Sequence, residues 1–224
     1  EIYTLSLHDA LPIFCFAFLI ILGFALTKIL RVPVSQREAY ILMTVFGNLG
    51  FIGLPVASAV LGPKSMVYVI VFNFLFNVVI FTFGIMLVKK GVDGVEQSWT
   101  DIFSPGFIAC ILAFIIYWFN IKIPADLQSL VNYCGNACTL LSLLVIGMSL
   151  VGMNLGSVFK NKRLLLFTAV RFIAVPIALA LLLKPFLPDY IMRASVVLMM
   201  SLPVANMPMM MAEQYGKETT TISE

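Results

Sequence analysis

The sequence predicts an all-α, polytopic membrane protein, and three observations carry that prediction. Of the 224 residues, 61% are hydrophobic and 11% charged, with a mean hydropathy of +1.04, whereas soluble domains average roughly 45 to 50% apolar and about 25% charged. The apolar residues fall into seven continuous runs, each within the range of about 17 to 25 residues that crosses a bilayer as a helix. The runs are unbroken rather than alternating, which argues against barrel strands of about 10 residues.

Residues 1–13, EIYTLSLHDALPI, differ in texture from the rest of the chain and match the translation of a widely used sequencing adapter. They are expected to be non-native and are set aside, with His8 and Asp9, leaving a membrane domain over 14–224. The runs are 14–30, closed by Lys28 and Arg31; 40–61, between Arg37 and Gly62; 67–88, closed by Lys89 and Lys90; and 103–119, closed by Asn120 and Lys122. They continue with 127–151, opened by Pro124 and Asp126; 164–183, between Arg163 and Lys184; and 190–212, opened by Pro188 and Asp189. Each boundary carries a charge, a Pro or a Gly, the residues that end an apolar helix.

Charge sets the orientation. Lys28, Arg31, Arg37, Lys89, Lys90, Lys160, Lys162, Arg163 and Lys217 fall in one set of alternate loops, against Lys64, Lys122, Lys184 and Arg193 in the other. The denser set is expected on the cytoplasmic side of a cell membrane. The net charge of +3 and pI near 8.7 therefore report topology. They form no basic face for nucleic acid. Cys15, Cys110, Cys134 and Cys138 lie inside apolar runs and read as small packing residues. No His follows residue 13 to complete a metal site.

Two runs carry helix breakers near their middles: GNLGFIGLPV at 47–56 and SLPVANMPMMM at 201–211. Each is preceded by a basic residue at the membrane edge, Arg37 or Arg193, and followed by a Gly, Gly62 or Gly216. They are five runs apart, so they are expected to cross the membrane in opposite directions, as paired interrupted helices do in inverted-repeat transporters. Pro removes a backbone donor and Gly tolerates unwound dihedrals. The freed backbone groups are stable at membrane depth only where protein buries them or they line a wet cavity. Half-helix N-termini then face an anion and unwound carbonyls a cation. Ordinary kinks are the alternative, since Pro and Gly are common in membrane helices.

These residues, with FNFLFN at 72–77, GNACTLLSLLVIGMSL at 135–150, RFIAVP at 171–176 and SLPVANMPMMMAEQYG at 201–216, resemble the auxin efflux carrier family of membrane transporters. The resemblance covers essentially all of 14–224. It implies ten spans in two inverted five-span repeats, with the fourth and ninth broken and crossing near the midplane, so that this chain holds spans three to nine. It implies a substrate site at the crossover, with Asn48, Gly50, Gly53 and Pro55 from one repeat and Pro203, Asn206 and Pro208 from the other. Pro105 is followed by Gly106 where related carriers often have Asn, so the resemblance does not extend to auxin itself.

Arg171 is the one charged side chain well inside a run. Three readings are open: snorkelling to the interface, recognition of a carboxylate, or a structural role at a helix terminus. Asn73 and Asn77 share a helix face at i, i+4 and either line the cavity or bond between helices. The expected function is secondary transport of a small organic anion, a carboxylate, coupled to protons, sodium or the membrane potential, with no cofactor. An intramembrane enzyme is the alternative from another class, but His, a Gly-x-Ser-x-Gly elbow and an acidic metal cluster are missing from 14–224. A scaffold or sensor needs no paired breakers. A homodimer is compatible with the architecture, though no residue argues for it.

Overall fold

The computed structural model describes residues 7–90, 105–151, 161–205, 207, 208, 210 and 211, and among them the backbone is helical between short connections. Helix α1 (Leu7–Ile29) is followed by α2 (Arg37–Val45), where Arg37 Nε donates to the Val32 carbonyl at 3.1 Å. After a break comes a π-turn (Leu49–Gly53) that leads into α3 (Leu54–Leu61). Gly62 stops α3 with φ +77°, a left-handed value that suits glycine. The Ser65 hydroxyl then satisfies the carbonyls of Gly62 at 2.7 Å and Ala57 at 3.2 Å. Next are α4 (Met66–Val79), a π-turn (Ile80–Gly84), α5 (Ile85–Lys89), α6 (Pro105–Trp118) and α7 (Ala125–Val151). Asn161 caps α8 (Lys162–Ala169), which passes through a π-turn (Val170–Ala174) into α9 (Val175–Leu183), and Asp189 caps α10 (Tyr190–Ser201).

Among the described residues, three stretches are long and apolar enough to cross a membrane: Leu11–Ile29, Pro63–Lys89 and Lys162–Leu183. The shorter apolar helices include Leu49–Leu61 and Tyr190–Ser201, which belong to the two runs expected to be broken. The first helix differs from its expected start, since α1 begins at Leu7 and carries Pro12 inside it.

Two π-turns have a common cause. Pro55 and Pro176 each occupy the second position of the helix after a π-turn, and the residue four before each, Phe51 or Phe172, lies within that turn. A proline cannot donate to the i−4 carbonyl and its ring crowds it, so the preceding turn widens. In the third, Thr82 Oγ1 donates back to the carbonyl of Val78 at 2.7 Å, competing with the backbone ladder. Pro55 therefore comes after the break rather than making it. The chain leaves the helix at residues 46–48, where Phe46 has φ −105° and ψ 89°.

The core forms where α1 packs along α2 and where α4 joins α1 to α10. It contains Phe16, Leu19, Phe46, Phe72, Phe76, Val196 and Met199, with the Phe46 and Phe76 rings edge-on at 5.6 Å. A second cluster joins Leu26, Val32 and Tyr40 to Leu164 and Phe167. Every residue from 40 to 49 is buried, so the first break lies at the centre of the packing. Outward faces are apolar too, as at Ile21 and Leu181, which are about two-thirds exposed. Lipid is the solvent that such surfaces fit.

Candidate functional site

The two breaks meet. Among the described residues the β pairing is an isolated antiparallel bridge between Gly47 and Val204, closed by Asn48 N donating to the Pro203 carbonyl at 2.7 Å and Ala205 N donating to the Phe46 carbonyl at 2.9 Å. Pro203 explains the second break, because the residue before a proline is pushed from helical to extended backbone, and Leu202 has φ −67° and ψ 144°. Helical backbone resumes at Met207 and Pro208. Asn206 and Gly216 lie outside the described residues, as do Lys160 and Lys217.

Close approach depends on missing side chains. A Cβ on Gly47 would meet both the Cβ and the carbonyl oxygen of Leu202 at 3.3 Å. On Gly53 it would meet Leu202 Cδ1 at 2.8 Å and Met199 Sδ at 3.2 Å, the far ends of two flexible side chains. On Gly50 it would lie 3.7 Å from Asn73 Oδ1, which brings α4 against the first break.

Asn48 is 2% exposed and opens the π-turn, its Oδ1 accepting from Phe51 N at 3.2 Å. Because an N–H needs an acceptor, this bond fixes which way the amide faces and leaves the NH2 group without a partner among the described residues. A donor pair thus stands beside the positive end of a half-helix. Asn73 is half-buried next to Gly50, while Asn77 Nδ2 donates to the carbonyl of Asn73 at 2.7 Å within its own helix. The shared face of the two amides is real, but Asn77 spends its donor locally.

Arg171 is 1% exposed in the π-turn before α9. Its Nε donates to the Thr44 carbonyl at 2.7 Å and its Nη1 to the Met200 carbonyl, with the Phe172 ring 5.3 Å away. Snorkelling does not describe this side chain, which is held by the ends of both broken helices. Sequence reasoning missed Thr44 and Met200, since backbone acceptors leave no mark in side-chain identity. Gly47 was visible within its motif, but its packing role required the partner segment.

A separate cavity of about 360 Å³ opens between α3, α9 and α10, lined by Val60, Leu61, Tyr190, Arg193, Leu198 and Ser201 among others. It includes none of the residues expected at the substrate site. Of the cysteines with described side chains, Cys15 is buried as a packing residue and Cys134 is exposed on α7.

A family model described as membrane transport protein matches residues 2–101 and 95–224. No curated protein and no solved structure matches the chain. With crossed helix breaks at its centre and a match across its length, the chain belongs to the auxin efflux carrier type of membrane transport protein family.

Proposed function

We propose that the chain forms the crossover core of a secondary active transporter that moves a small organic anion, a carboxylate, across the cell membrane. The observation that carries this reading is Asn48: a buried amide whose oxygen is committed to Phe51 N and whose NH2 group is unpartnered among the described residues at the meeting of two helix breaks. A neutral amide suits a carrier. It donates to a carboxylate oxygen without a permanent charge, so the site releases its anion after each cycle. Gly50 and Gly53 keep the wall low, Asn73 faces the same stretch, and Asn206 contributes from the other repeat. Pro55, Pro203 and Pro208 fix the half-helices between which the anion sits.

In this reading the chain holds seven spans of a ten-span inverted-repeat protein, oriented with Lys28, Arg31, Lys89, Lys90, Lys160, Lys162 and Arg163 inside. The antiparallel sense of the Gly47 to Val204 bridge supports the opposed direction of the two broken spans. Gradients of protons or sodium, or the membrane potential, supply the driving force.

Proteoliposomes containing the full-length protein provide the test, with a panel of radiolabelled mono- and dicarboxylates. Saturable uptake of at least one carboxylate is expected, with affinity lowered about tenfold or more in Asn48→Ala, the loss of one hydrogen bond to a charged group. Unchanged affinity in a folded Asn48→Ala protein would move the site elsewhere, and absence of uptake across the panel would overturn the carboxylate assignment.

A further inference from the structure

The breaks that create the crossover leave backbone groups without their helical partners, and two of those groups converge on Arg171. In an unbroken helix the Thr44 carbonyl would accept from Asn48 N, but that N–H donates to Pro203 instead. The Met200 carbonyl would likewise accept from the N–H of Val204, which lies in the bridge beyond the helix end. Thr44 and Met200 are each the second-to-last residue of their helix, α2 and α10. These two equivalent carbonyls are the ones that Arg171 holds, through Nε and Nη1.

We infer that Arg171 is a positioning residue, an internal cation that clamps the C-terminal ends of both broken helices and so sets the register of the crossover. A buried guanidinium is stable here because helix C-termini carry partial negative charge, and two of them converge on it. Among the described residues no carboxylate pairs with it. Its fork supplies neighbouring donors to acceptors from different helices, as a planar guanidinium can. The clamp also neutralises the negative ends of α2 and α10, so the field where the two breaks meet is governed by the positive starts of the half-helices beyond them. That consequence deepens the transport reading and rests on it, but the clamp itself does not.

Hydrogen–deuterium exchange on the full-length protein, without substrate, separates the two. Peptides covering 46–49 and 203–205 contain the bridge amides of Asn48 and Ala205, and a peptide from α1 serves as the reference. Arg171→Met is expected to speed bridge exchange on the order of tenfold or more with little change in α1. Arg171→Lys, which keeps the charge but loses the fork, should restore part of the protection and more than Arg171→Gln, which is neutral though able to donate. Wild-type protection in Arg171→Met would overturn the clamp, as would Lys performing no better than Gln. An equal rise in α1 and the bridge would also overturn it, by showing a general loss of fold. Failure of carboxylate uptake with this exchange pattern intact would remove the transport reading and leave the clamp standing.

Discussion

In the proposed transport role Asn48 does two jobs with one amide, and substitutions separate them. Its oxygen caps Phe51 N, a contribution to stability of about 1 kcal/mol that Ala would lose. Its NH2 group is available to an anion. Asn48→Asp preserves an oxygen for the cap but replaces the donors with negative charge. Asn48→Asp is therefore expected to bind carboxylates more weakly than Asn48→Ala does, with the cap kept but the melting temperature lowered by a buried charge, which thermal-shift and uptake measurements on the same preparations would check. A variant that melts early yet keeps wild-type affinity would identify the amide as a cap alone. Asn48 was picked out in the sequence by its place in the family-like motif GNLGFIGLP, beside the paired breakers. The role of Arg171 was legible only as a set of alternatives. Choosing among them required knowing that two helices, whose clamped carbonyls are 127 and 29 residues from Arg171 along the chain, end beside it.

At the level of elements, the breaks were readable from composition and their mechanics were not. Pro203 behaves as its local rule requires, forcing Leu202 extended and ending α10 at Ser201. Pro55 looks equivalent in the sequence, yet it sits at the second position of α3 after a π-turn, and the first helix ends earlier, at Val45. The difference is tertiary: the backbone of residues 46–48 leaves the helix where it finds substitute partners in Pro203 and Ala205. The glycines obey the same logic. Gly53 faces the movable ends of Leu202 and Met199, whereas Gly47 faces the Cβ and carbonyl of Leu202, which cannot turn aside. Gly47→Ala should thus cost about 1 to 3 kcal/mol, the usual range for overpacking, and loosen the bridge. Gly53→Ala should be milder, with rotamer shifts at two flexible side chains. Urea or thermal unfolding of the purified variants would show the order, and a larger loss for Gly53→Ala would mean that side-chain crowding, not backbone approach, limits the crossing.

Across the whole molecule, charge bias and packing agree on which ends belong together. The Tyr68 hydroxyl donates to Asp189 Oδ2 at 3.2 Å, joining the start of α4 to the start of α10. The loops that lead into those helices carry Lys64 and Lys184, both from the sparse set of basic residues. At the other pole the Tyr40 and Phe167 rings meet edge-on at 5.0 Å in the cluster that also holds Leu26 and Val32. That contact gathers the helix ends bearing Lys28, Arg31, Arg37, Lys162 and Arg163, all from the dense set. Two poles of unequal basic density are what a protein inserted with its positive loops inside requires. The broken spans start from different poles: α2 begins at the densely basic one and α10 at the sparse one, so they approach the crossing from opposite sides. Single cysteines in a full-length protein lacking Cys15, Cys110, Cys134 and Cys138 test this with a membrane-impermeant maleimide on intact cells. A cysteine at Lys64 should label from outside, whereas one at Lys162 should label only after the membrane is opened. The reversed pattern would invert the orientation but keep the two poles, and labelling of both positions from outside would break the pairing of helix ends on which the antiparallel crossing depends.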